Sequence, residues 1–156
     1  VLIHLGINDA FSYTTDATVI AAAIAAFVNL DLLITSIKAA GAGVKVGLMI
    51  PTPPAGQDGF GAAYGTGQTA WRDKRNIMLW AQELIAKYTG QEASRIYLVP
   101  SNTALDVVNG YPLAASAAVN SRSSVMVQRQ NNGVHPDAGG YQQIGDCLWA
   151  FLKCNA

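Results

Sequence analysis

Two short segments at opposite ends of the chain carry residue types that can do chemistry together. The first is Gly6-Ile7-Asn8-Asp9, directly after the apolar run Val1-Leu2-Ile3-His4-Leu5. A tight loop of this kind can aim a side-chain amide and backbone N–H groups at one point. Neutral donors preorganised in that way stabilise an oxyanion. The plainer alternative is an Asx turn in which Asn8 and Asp9 only close the backbone. The second segment is Asn131-Asn132-Gly133-Val134-His135-Pro136-Asp137. An imidazole fixed between a glycine turn and a proline-started helix suits a general base, and Asn132, three residues back, is placed to orient it. Taken alone, His135 also reads as an ordinary loop histidine, and His4 as a core or flanking histidine with no role.

Elements that place these residues follow from patterning. Val1–Leu5 reads as a strand, and Thr14-Thr15-Asp16 as the cap of a long helix from about Asp16 to Ala40, ended by Gly41 and Gly43. Val44–Ile50 reads as a second strand stopped by Pro51, Pro53 and Pro54, and Thr69–Thr89 as a second helix. Residues 55–68 read as a glycine-rich loop of active-site type, with Phe60 and Tyr64 as candidate pocket walls or, equally, ordinary loop anchors. Arg95–Pro100 gives a third strand, and residues 101–134 read as irregular, with a short strand at Ser124–Gln128. The last helix begins after His135-Pro136, with Pro136 at or near its first position. Strands alternating with helices predict a parallel sheet covered on both faces, with ligands beyond the carboxyl ends of its strands. Gly6–Asp9, the Pro/Gly segment and His135 all fall there.

Composition narrows the function. Charged residues are 13% and the AVILMFWYC set 51% of the 156 residues, which excludes intrinsic disorder. Ten basic and ten acidic side chains cancel, against the basic excess of a nucleic-acid binder. One domain over 1–156 is expected from the length, with no interdomain linker. The uncharged stretch Ala17–Leu30 would cover only about 21 Å as a helix, short of a bilayer core, so a buried helix rather than a membrane span is expected. Cys147 and Cys154, seven apart in the last helix, read as two semi-buried thiols that pair only if the helix frays. With His4 and His135 the only histidines, no zinc-type spacing exists, and neither metal nor cofactor is expected. The strand at Val1–Leu5 reads as central rather than terminal, which predicts a segment upstream of it.

The two segments resemble blocks of the SGNH (GDSL) hydrolases. Val1–Asp9 is similar to their block III, Gly-x-Asn-Asp after an apolar strand. Asn132-Gly133-Val134-His135-Pro136 with Gly140-Tyr141 is similar to their block V, Asp-x-x-His-Pro with a downstream Gly-Tyr. The resemblance implies the α/β SGNH fold: a three-layer α/β/α domain with a parallel, flavodoxin-like sheet, present here as its C-terminal two-thirds with the first strands missing. It implies a serine ester hydrolase working by acyl transfer on a small-molecule or carbohydrate ester. Asn8 and Gly6 would belong to the oxyanion hole, His135 would be the base oriented by Asn132, and Asp9 would tie the loop by hydrogen bonds. Two departures accompany it. No Gly-Asp-Ser nucleophile motif occurs in these residues, Ser12 being the nearest serine to the loop, so the serine would come from an upstream segment of the same domain. Asn132 stands where the family has an aspartate. Both departures suit an alternative: a non-catalytic carbohydrate-binding or structural module, of a virion or surface component, on a decayed fold.

Overall fold

The computed structural model describes residues 1–41, 43–55 and 69–155. Among them the chain is a mixed α/β structure with three helices, a three-stranded parallel sheet and a separate antiparallel hairpin. The order is β1 (Leu2–Ile3), α1 (Asp16–Ala39), β2 (Val46–Met49), α2 (Ala70–Tyr88), β3 (Ile96–Val99), β4 (Leu113–Ala118), β5 (Met126–Gln130) and α3 (Ala138–Asn155). The sheet runs β1-β2-β3, with Leu2 opposite Gly47 and Val46 opposite Ile96.

Period-two alternation divides the sheet between two cores. Ile3, Val46, Leu48 and Ile96 pack with α1 and α2, through Val19, Phe27, Ile77, Trp80 and Leu84. Leu2, Met49 and Val99 pack with Ile144, Leu148 and Phe151 of α3. Gly47 shows why the second face needs a gap: a Cβ there would lie 2.7 Å from Leu2 and 3.2 Å from Phe151. Behind the first face, Phe27 meets the rings of Trp80 and Tyr88 edge-on, at 5.7 and 6.3 Å. The same pair of helices is pinned outside by Asp31, which accepts from Lys87 and from the Tyr88 hydroxyl at 2.6 and 2.7 Å.

Caps set the helix starts where the sequence places them. Thr15 Oγ1 accepts from Thr18 N–H at 3.3 Å, and Thr69 Oγ1 from Arg72 N–H at 3.1 Å. The last helix starts after His135-Pro136, at Ala138, with Pro136 just outside it. Asp137 caps it by accepting the Gly140 N–H at 2.9 Å. That helix runs to Asn155, and both cysteines are free thiols: Cys147 is half-buried as expected, whereas Cys154, near the helix end, is exposed.

Two expectations are corrected. The segment read as irregular holds a hairpin, with Leu113–Ala118 paired to Met126–Gln130 around an irregularity between Ala115 and Ala117. Its second strand sits two residues later than the strand expected there. The helix expected to be buried is buried on one side only: Val19, Ala23, Phe27 and Ile34 face the sheet, while Ile24, Val28 and Leu32 are exposed. By length and composition α1 could cross a membrane, yet that inner side is part of the domain core.

Candidate functional site

A cleft of about 440 Å³ opens at the carboxyl ends of β1 and β2. It is lined by His4, Gly6, Asn8 and Asp9 from the loop after β1, and by Met49 and Thr52 from the end of β2. Val134, His135 and Pro136 come from the segment before α3, and Tyr141 from its first turn. Gly6, Asn8 and His135, distant in sequence, therefore share one wall-to-wall space. Parallel strands deliver this convergence, because every loop after a strand emerges on the same edge.

The loop after β1 is built under constraint. Gly6 has φ +106°, and a Cβ on it would run into the Trp80 indole, reaching Cε2 at 2.8 Å. No L-residue with a side chain meets both demands without strain. The chain then turns through one 3₁₀ step, Asn8–Ala10, with Ala10 N–H donating to Gly6 and Ile7 carbonyls at 3.2 Å. Asn8 is exposed to the cleft, and its amide makes no hydrogen bond among the described residues.

Asp9 does not tie this loop, contrary to the role implied by the resemblance: it is exposed and accepts no hydrogen bond among the described residues. Asn76 of α2 does the work instead. Its side chain is fully buried, and Nδ2 donates to the carbonyls of Ala10 and Tyr13 at 2.9 and 2.8 Å. Its Oδ1 accepts from Arg72 Nε at 2.7 Å. Arg72 and Arg75 in turn both donate to Asp16 at the start of α1, at 2.8 and 2.7 Å. Those bonds, Arg75 first, hold the Asp16 carboxyl below its ordinary pKa.

Asn132 places His135 through the backbone. Its Oδ1 accepts the N–H groups of Val134 and His135 at 3.0 and 2.9 Å, an Asx turn that sets where the imidazole leaves the chain. Around it, Ala55 N–H donates to Gly133 O at 3.0 Å and Asp137 N–H to Gly110 O at 2.9 Å, so the segment is tied to the loops after β2 and β3. A Cβ at Gly140 would meet Pro136 at 2.8 Å, and the glycine allows α3 to start against this segment.

His4, expected to have no role, also lines the cleft, and desolvation holds its pKa below the ordinary imidazole value. Tyr141, 53% exposed, offers an aromatic face to the same space. Ser12 is not among the lining residues, and no serine is, among the described residues. Ser101 is buried and donates to Ile50 O at 2.7 Å. Phe60 and Tyr64 lie outside the described residues. No group of three His, Cys, Asp or Glu among the described residues could hold a metal ion.

A second cavity, about 230 Å³, lies on the α1 side of β1. Ile3, Leu5, Leu48, Leu30, Leu33 and Trp80 make it apolar, and Leu5, Gly6, Asp9 and Met49 line both cavities. Strand β1 pairs with β2 alone among the described residues, so its other edge borders this groove. Asp73 of α2 is a separate oddity that patterning alone did not single out: it is fully buried, and neither carboxylate oxygen has a hydrogen-bond partner among the described residues. Burial raises its pKa to about 6. No protein-family model, curated protein or solved structure matches this chain.

Proposed function

We propose that this chain is the larger part of an SGNH-type serine ester hydrolase domain, acting on acyl or carbohydrate esters by acyl transfer. The observation that carries the reading is the convergence of Gly6, Asn8 and His135 on one cleft. The order β1-β2-β3, with α1 and α2 on one face and α3 on the other, is what the C-terminal part of a three-layer, flavodoxin-like sheet would present.

In this mechanism His135 removes the proton from a serine Oγ as it attacks the ester carbonyl. The carbonyl oxygen, now negative, takes hydrogen bonds from the Asn8 amide and the Gly6 backbone N–H. Collapse expels the alkoxide with the proton from His135. Water, deprotonated by the same imidazole, then releases the acid and restores the serine. The serine comes from a segment outside these 156 residues. A strand added parallel to β1 along its groove-side edge would end at Gly6–Asp9, beside the cleft, which supports that source. The amide of Asn132 favours a second reading, a carbohydrate-binding module in which Tyr141 stacks on a sugar and no acyl-enzyme forms.

The test uses the protein expressed from its full reading frame. A fluorophosphonate probe should label one serine upstream of Val1, and His135→Ala should abolish that labelling. Asn8→Ala should lower kcat for p-nitrophenyl acetate by about 10²–10³ with little change in KM. Full turnover in either variant removes that residue from the mechanism. Absence of labelling together with sugar binding that needs Tyr141 replaces the enzyme by the module.

A further inference from the structure

The cleft has two unlike ends. At one, the loop after β1, Thr52 and His135 supply the polar groups. The other is a trough between β1 and α3, with His4 and Leu5 on one wall, Ile144 and Leu148 on the opposite wall, and Met49 between them. Tyr141, Ile144 and Leu148 lie within about 60° of one another around the helix axis, so one face of α3 lines the trough from its first turn onward. From Tyr141 to Leu148 the helix rises about 10 Å. Beyond Leu148 the trough is closed, because Leu2 and Phe151 pack into the core beneath α3, flank Gly47 and do not line the cleft. Met49 and Ile144 are buried and Leu148 is half-buried. His4 is the one polar side chain of the trough among the described residues. Desolvation holds its pKa below the ordinary imidazole value, so it is uncharged at neutral pH.

We propose that the trough takes the acyl chain of the ester, and that this chain is linear, aliphatic and about eight carbons long, the length that spans roughly 10 Å. The proposal rests on the ester-hydrolase reading of the cleft and names its substrate. Two fixed groups decide which half of the ester enters. The carbonyl oxygen has to reach Asn8 and Gly6, and the leaving oxygen has to reach His135, which returns the proton. His135 is exposed, so the alcohol that it protonates lies toward solvent. The remaining substituent of the carbonyl carbon, the acyl chain, is left to the trough.

A sugar ring in the trough would set its hydroxyls against Met49, Ile144 and Leu148, which offer them no hydrogen-bond partner. A carbohydrate fits as the alcohol, outside it. The second cavity is apolar as well, but neither Asn8 nor His135 lines it, so a chain lodged there would hold its carbonyl away from both. Each methylene moved from water into an apolar trough favours binding about fourfold, which makes octanoyl over butyryl worth about 200-fold.

The experiment takes the protein expressed from its full reading frame and p-nitrophenyl esters from acetate to laurate. Their kcat/KM should climb about fourfold per methylene, peak near octanoate and fall beyond it. Leu148→Trp fills the closed end, and should move the peak to butyrate or below and cut octanoate turnover by roughly 20-fold or more. Leu148→Phe, a smaller change, should move the peak in the same direction by fewer carbons. Titration calorimetry with sodium octanoate and sodium butyrate reads the trough without turnover: octanoate should bind about 200-fold tighter, and Leu148→Trp should remove most of that difference. Hydrolysis at a rate flat from acetate to laurate, or a peak that neither variant moves, overturns the proposal and leaves the hydrolase standing. Equal binding of the two acids overturns it as well. Tighter octanoate binding that Leu148→Trp weakens, in a protein that hydrolyses none of the esters, keeps the trough as an acyl-chain site and discards the hydrolase.

Discussion

Removing the buried charge of Asp73 should stabilise the protein at neutral pH and change how its stability depends on pH. The carboxyl is fully buried in α2 with both oxygens unpartnered among the described residues, and its pKa rises from 3.8 to about 6 through desolvation. A fold that raises a carboxyl pKa binds the proton more tightly than the unfolded chain does. This contribution to stability is therefore fully present below pH 4, shrinks as pH climbs, and is gone above pH 6 to 7. The gap between the two values corresponds to roughly 3 kcal/mol. Asp73→Asn keeps the shape and removes the titration. At pH 8 it should gain up to about 3 kcal/mol, a rise in melting temperature of roughly 6–12 °C for a chain of this size. Near pH 4 the two proteins should melt together. The difference between them isolates Asp73, because carboxylates held low by hydrogen bonds, such as Asp16 and Asp106, act in both. Tyr111 supplies an internal control: burial first, and then the Asp73 charge, hold its phenol above the ordinary value. Its ultraviolet titration should move down in the variant. Parallel stability profiles for wild type and Asp73→Asn between pH 4 and 8 would refute the reasoning.

Asn76→Ala should cost about 2–4 kcal/mol in urea unfolding, since it orphans the carbonyls of Ala10 and Tyr13 and the Nε of Arg72. Proteolytic nicking between Gly6 and Thr15 should appear before any other site; a variant as stable and as resistant as wild type would show that the loop holds itself. In the full-length protein, Asn132→Asp should raise kcat for acyl esters, because a carboxylate keeps the two backbone bonds and adds charge beside an imidazolium. No gain across acyl and sugar esters would favour the binding module.

How far the sequence could be read depended on whether local chemistry or distant partners decide an element. Thr15 and Thr69 cap helices through bonds three residues away, and Pro51 ends a strand by lacking a donor, so these boundaries were legible. The meeting of Gly6, Asn8 and His135 was legible because it follows from parallel topology rather than from contacts. Strand β4 was not, since four of its six residues are alanine and its partner is supplied by the strand beyond the turn. Nor was the inner side of α1, whose apolar residues run round the whole helix and leave no stripe to read. Asn76 and Asp73 sit among Trp71, Ile77 and Trp80 in a helix whose periodicity explains itself without them. Only the packed structure shows that one clamps a loop and the other is a fully buried carboxyl.

The hairpin β4–β5 has a consequence for how this chain can vary. Its base is closed by Gln130, buried, whose Nε2 donates to the carbonyls of Val107 and Val108 at 2.7 and 3.0 Å, and by Asn131 N–H on Pro112 O at 3.1 Å. Beyond that clasp the strands lean mainly on each other, and Val119, Val125 and Met126 are exposed. The segment is thus an excursion with fixed ends, inserted between β3 and the residue that enters the cleft. Doubling the length of such an excursion costs only about 0.6 kcal/mol in closure entropy. Insertions, deletions and grafted sequences within 114–128 are thus absorbed before the clasp, and His135 keeps its place while the surface beside it diversifies.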